Sequence, residues 1–292
     1  RAAARRADVT ALAASLSTRD RHVAVFGSKR VIEALDLPDG VTTGHFGALR
    51  GLDGHKDADV GIVVGREQPS PTSIENMARC LFGDDQEPLL LTGEFVDACI
   101  AYRMKDGTRA HAVTSVHPDT RAQSLVAQVR EQELLQAAGR MRLVHREKPA
   151  ALYFLTSVPT EIAIDRLESW ASIMPDKLTR TILRAGGVLP LSYTGLMAAG
   201  GGLWPSAEAV RKWVEEVLRN PGENPIRSLY GDSSGVSSRE SLSHRWWSVT
   251  AAEVATIVRY RSSGARRGTA PEALLVGEVD TGTAADMLTA AL

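Results

Sequence analysis

The chain is short of several things that would narrow its function at once. Two cysteines, Cys80 and Cys99, occur in 292 residues. They form no CxxC pair and no ligand spacing, which sets aside a disulfide framework and a zinc module; no metal site is expected. Buried free thiols in a reducing cytoplasm are the expectation. A net charge of −1 excludes a uniformly basic protein that coats DNA, so any nucleic-acid surface has to be local. No apolar run approaches the ~20 residues of a membrane span and no signal peptide is evident, so no membrane partner is expected. The phosphate-cradling pattern GxxxxGK[ST] is missing, as are a DExx-type acidic motif and a dinucleotide glycine fingerprint. With no convincing acid–base pair either, a free-standing dinucleotide or nucleotide-sugar enzyme is set aside.

What is present is ordinary globular material, 43% hydrophobic and 24% charged, long enough for two domains with a core each. Arg1 stands where a methionine would open a reading frame, and a fragment of a longer polypeptide is the expectation. Residues 2–16 are alanine-rich and predict a helix. The run HVAVF (22–26), then Gly27-Ser28-Lys29 and a helical stretch to Leu35, predicts strand, tight turn and helix, the beginning of an α/β unit. Ser28 and Lys29 in that turn are candidates to touch a nucleic-acid backbone. Val41–Phe46 predicts a second strand, and VGIVV (60–64) a third. Continuous apolar runs of this kind mark parallel strands, whose C-terminal ends present ligand loops. Between them Arg50-Gly51-Leu52-Asp53 predicts a glycine-bent loop at a sheet edge, with charges able to meet phosphate, ribose or each other.

Residues 66–117 predict an insertion in this domain, with a capped helix over Ser73–Phe82 and a hairpin turning at Asp106-Gly107. Pro118 and Asp119 predict the start of a long helix that Pro149 stops. It carries EQELLQAAGRMRLVHR (131–146). Gln136, Gly139 and Arg140 fall at i, i+3 and i+4 and share one helix face. Gly139 leaves room for close approach, and Arg140 offers a planar charge that survives burial, a pairing suited to a phosphate group. ALYFLT (151–156) predicts a further buried strand, and Glu161–Trp170 a connecting helix.

Beyond residue 165 the strand–helix alternation gives way to amphipathic helices over Leu178–Ala185 and Ser206–Leu218, predicting a smaller, mainly α accessory domain over 166–292. From Arg166 to Arg267 there are 14 Lys+Arg against 9 Asp+Glu. Basic residues interleave with aromatics there, in HRWW (244–247) and VRYR (258–261), followed by ARRG (265–268). Charge for phosphates and flat faces for bases make Arg259, Arg261, Arg266 and Arg267 candidate nucleic-acid contacts. The tryptophans fit a core equally well.

Taken together, residues ~20–160 resemble the second RecA-like domain of superfamily-two helicases. HFGALRGLDGHKDADVGIVVG resembles that family's motif V, an Arg-Gly-(Leu/Ile)-Asp loop followed by a strand. QAAGRMRLVHR resembles motif VI, written QxxGRxxR, and HVAVFGSKRVIEAL stands where motif IV would. The string is also similar to the C-terminal part of helicase or primase-helicase proteins of bacterial mobile elements. The resemblance implies a RecA-like domain over 1–165, a mostly parallel sheet flanked by helices. It implies DNA as partner, with RNA not excluded, and ATP with Mg²⁺ bound mainly by an N-terminal RecA-like motor domain of the same polypeptide. It makes Arg140 the arginine finger, gives Gln136 and Gly139 contact with the same nucleotide, and places Arg50, Gly51 and Asp53 along the nucleotide cleft. The family's second motif VI arginine falls at Leu143 here. On a continued helix Arg142 points away from Arg140, and Arg146, nearly on the stripe of Gly139, is the substitute. A noncatalytic DNA-binding or regulatory module of a mobile-element replication protein, keeping the RecA-like fold, is the alternative.

Overall fold

The computed structural model describes residues 2–17, 21–51, 53–190, 192–219, 255–259 and 272–276. The chain groups into two compact units, one of Arg1–Ala13 with Arg19–Ile173 and one of Ala14–Thr18 with Met174–Leu292.

The first unit is α/β. Strands β1 (Val23–Gly27), β2 (Thr42–His45), β3 (Val60–Val64) and β6 (Ala151–Leu155) form a parallel sheet in the order β2-β1-β3-β6. β1 is buried along its whole length, and β3 at all but its last residue. An uninterrupted apolar run is what a strand covered on both faces requires. Helix α1 (Ala2–Leu16) buries Val9, Leu12 and Ala13. Helix α2 is one turn, Lys29–Ile32, shorter than the stretch to Leu35 that the sequence suggests.

The insertion between β3 and β6 holds helix α3 (Pro71–Phe82), capped by the Ser70 hydroxyl, which accepts from the Ser73 N–H. It also holds an antiparallel ribbon of β4 (Val96–Arg103) and β5 (Arg109–Val116). Its turn is the expected one: the Asp106 carboxylate accepts from the Thr108 N–H, and Gly107 takes a φ of 77°. Cys80 on α3 and Cys99 on β4 are free and exposed, against the expectation of buried thiols. Cys80 lies off the face that carries Ile74 and Ala78 inward, and Cys99 pairs across the ribbon with exposed Val113.

Helix α4 (Thr120–Gly139) organises this unit. Asp119 caps it, accepting from the Arg121 and Ala122 N–H groups. Its first half buries Ala122, Leu125 and Val126 against Ile74 and Ala78 of α3. Its second half turns Leu134 and Ala137, then Met141 just beyond, onto Ala24, Phe26 and Val63 of the sheet. Their i, i+3, i+7 spacing is the apolar stripe of a sheet-packed helix. Gly61 on β3 makes the approach possible, because a Cβ there would overlap the Met141 sulfur. The helix ends at Gly139, ten residues before Pro149. Arg140 is its C-cap, Arg142 takes the left-handed conformation (φ 49°), and Leu143–His145 form one 3-10 turn. Glu161–Ser169 is irregular rather than helical, and only α5, Trp170–Ile173, is a helix there.

In the second unit α6 (Lys177–Arg184), α7 (Tyr193–Ala199) and α8 (Ala207–Arg219) accompany a small antiparallel sheet. The sheet holds β7 (Val188–Pro190), β8 (Ala255–Arg259) and β9 (Glu272–Val276) in the order β7-β9-β8. Helix predominates among the described residues, as expected for this part of the chain. Trp204 is buried and packs on Trp213 at 5.2 Å, a core role for this pair, while Trp246 and Trp247 lie outside the described residues.

Candidate functional site

Residues 46–59 leave the C-terminal end of β2 and cross to the start of β3. Three side chains tie this loop to the last turns of α4 and the segment that follows. Near its beginning the Gly47 N–H donates to Glu133 Oε2 at 2.8 Å. In its middle Asp53 Oδ1 accepts from Arg142 Nη2 at 2.7 Å. At its end Arg146 Nη1 donates to the Lys56 carbonyl (2.8 Å) and the Ala58 carbonyl (2.6 Å). The two segments singled out in the sequence therefore meet side by side.

The meeting works differently from a continued helix. Because the helix stops at Gly139, the left-handed turn at Arg142 swings that residue back toward the loop, and its guanidinium reaches Asp53. Arg146, expected on the helical stripe, is instead bound up with backbone carbonyls, and its side chain is 12% exposed. Its Nη2 lies 3.7 Å from Asp59, whose other oxygen accepts from the His22 N–H ahead of β1. Arg146 is a staple holding the starts of β1 and β3, not a group presented to a ligand. The signal missed in the sequence was Gly139, a residue type that often closes helices.

His55, in the loop itself, packs onto β1 and β2. It is buried, its ring is edge-on to Phe26 at 5.0 Å, and its Nδ1 lies 3.2 Å from the Thr42 hydroxyl. Burial, and then the nearby Arg140 charge, hold its pKa below the ordinary value. Arg140 is half-buried at the end of α4, with Gln136 half-buried one turn earlier. Gly139 and Gly51 both face open space, with nothing within 4 Å of where a Cβ would be. Gly51 has a φ of 77° and Arg50 beside it is exposed, so the backbone there is open to close approach. Of the residues singled out in the sequence, Asp53 is tied to Arg142, Arg50 and Gly51 lie exposed on the loop, and Gln136 and Arg140 lie half-buried at the helix end beside Gly139.

Ser28 and Lys29 do not join this cluster. They follow the C-terminal end of β1, whereas the Arg146 staple lies where β1 and β3 begin. Of the accessory arginines, Arg259 ends β8 opposite Glu272, and Arg261, Arg266 and Arg267 lie outside the described residues. Among the described residues no helix is long and apolar enough to cross a membrane. No protein-family model, curated protein or solved structure matches the chain.

Proposed function

We propose that the chain is the C-terminal half of an ATP-dependent nucleic-acid helicase or translocase. In this reading it supplies Arg140 to ATP held with Mg²⁺ by an N-terminal RecA-like motor domain. The observation that carries the reading is the triple tie of the 46–59 loop to the end of α4, with Asp53 and Arg142 at its middle. It puts a glycine-bent acidic loop beside a half-buried arginine on a rigid helix end, the pairing that motifs V and VI serve in the family resembled. Bound nucleotide and metal supply the phosphoryl group and much of the charge neutralisation. The chain's own residues position: Arg140 places a guanidinium where negative charge develops, an effect worth ~10³–10⁵ in rate for arginine fingers. Gln136 and the Arg50–Asp53 loop face the same nucleotide in this reading, and the Arg146 staple fixes the end of the loop where β3 begins. Nucleic acid, DNA before RNA, contacts Ser28 and Lys29 and the basic residues Arg259, Arg261, Arg266 and Arg267. The work is cytoplasmic in this reading, and free, exposed thiols suit a reducing compartment.

The alternative, a noncatalytic DNA-binding module, uses the same fold and ties without nucleotide chemistry. The experiment that separates them begins with the purified 292-residue chain, which is expected to show no ATP turnover alone and to restore turnover when joined to its motor domain. Robust hydrolysis by the contaminant-free isolated chain would overturn the proposal.

A further inference from the structure

In the order β2-β1-β3-β6 the chain steps from β1 out to β2, returns past β1 to β3, and continues to β6 on the other side. The winding therefore reverses between β1 and β3, and in open parallel sheets ligands bind outside the C-terminal strand ends at such a reversal. Gly27 pairs with Val64, so Ser28-Lys29 and Gly65-Arg66 leave the sheet side by side. Gly65 bends the second exit with a φ of 74°.

Arg66 at that exit is half-buried, and Nη1 donates to the Thr114 hydroxyl at 3.3 Å. Among the described residues no carboxylate lies within ion-pair distance of it. Behind it Arg130, 1% exposed, bonds the Ser115 carbonyl at 2.6 Å and pairs with Glu131. Glu131 is thus held by Arg130 and reaches Arg66 only as a more distant charge. Burial and then the Arg130 charge depress the Arg66 pKa, with Glu131 offsetting them in part. Glu67 follows Arg66 in the chain, and Glu33 is taken up by Lys29 at 3.8 Å. The Ser28 hydroxyl makes no capping bond.

The geometry points to a phosphate-binding site at the C-terminal ends of β1 and β3, in which Arg66, braced by Arg130, grips one phosphate group alongside Ser28 and Lys29. The phosphate belongs to a nucleic-acid backbone or to a free nucleotide. The site rests on the preceding reading only in sharing Ser28 and Lys29, and does not involve Arg140. A half-buried guanidinium in excess over its carboxylates is suited to an anion, since an oxyanion supplies the charge and acceptors it lacks.

The test measures anisotropy of a labelled oligothymidylate and of a labelled mononucleotide with the full chain, across a salt series. Arg66→Gln is expected to weaken one of the two probes ~10-fold. For the oligonucleotide it also flattens the salt slope by about one. Lys29→Gln, at a side chain 69% exposed, produces a smaller loss on the same probe, and Arg66→Lys keeps most of the slope. Sensitivity of the oligonucleotide alone assigns a backbone phosphate, and sensitivity of the mononucleotide alone a free nucleotide. If folded Arg66→Gln loses thermal stability yet binds both probes as wild type does, Arg66 only anchors β5 and the proposal fails. Should Arg66→Gln not fold, unchanged binding by Lys29→Gln overturns it. Normal ATP turnover by Arg140→Ala in the chain joined to its motor domain, beside Arg66-dependent binding, would sink the finger and leave this site standing; the opposite pair of results would do the reverse.

Discussion

Replacing Arg146 by alanine is expected to cost far more stability than replacing an exposed arginine. The side chain is 12% exposed and bonds the partly buried Ala58 carbonyl at 2.6 Å and the exposed Lys56 carbonyl at 2.8 Å. A charged hydrogen bond to a group with little access to water is worth ~1.5–3 kcal/mol, because its loss leaves the carbonyl unsatisfied. The Lys56 carbonyl can turn to water, so its share is ~0.5 kcal/mol. With the lost packing of the aliphatic stem, Arg146→Ala should cost ~2–4 kcal/mol. Arg142→Ala is the internal control. Its bridge to Asp53 is short but half exposed, at 50% and 65%, and exposed pairs contribute ~0–1 kcal/mol. Urea unfolding followed by circular dichroism reads both, with the midpoint rather than the slope expected to move. Arg146→Lys should recover part of the loss, as an ammonium reaches one carbonyl but not two. A cost below ~0.5 kcal/mol for Arg146→Ala, or a larger cost for Arg142→Ala, would refute the staple.

Two further perturbations follow from the titrating groups. Arg140→Gln should raise the pKa of His55 toward its ordinary value near 6.5, seen by NMR titration of the imidazole. In the wild type the depressed value means that the unfolded state binds the proton more readily, so this contribution to stability is lost as pH falls through that range; no change in His55 would mean that Arg140 lies elsewhere. Burial favours the protonated form of Asp119, but the Arg121 side chain and the Leu90, Ala122 and Arg121 N–H groups outweigh it and hold its pKa well below 3.8. Its stabilisation is therefore present above 3.8 and lost as pH falls below it. Asp119→Ala should remove that acid sensitivity and cost ~1–2 kcal/mol as a lost helix cap, whereas an unchanged acid unfolding profile would contradict the assignment.

Much of the sheet was legible because parallel strands have to be apolar throughout: VAVFG, VGIVV and ALYFL each became a strand with little adjustment. Asp119 as a cap and Asp106-Gly107 as a turn were legible because their side chains act on backbone within three residues. What escaped depended on contacts distant in sequence. Nothing local says that Arg146 will find carbonyls ninety residues upstream, or that β1 will sit between β2 and β3. The early end of α4 was misplaced because Pro149 is a louder stop than Gly139, though the glycine comes first. The surplus charge at Arg66 was invisible until β3 and α4 were brought together.

The most direct measurement is ATP turnover by the chain joined to its motor domain, comparing wild type with Arg140→Ala in the presence and absence of single-stranded DNA. Turnover should fall ~10³-fold or more while DNA affinity stays within about twofold, because a finger acts on charge that develops only in the transition state. Arg140→Lys should rescue little, lacking the planar fork. Normal hydrolysis by Arg140→Ala, or a defect confined to DNA binding, would contradict the account.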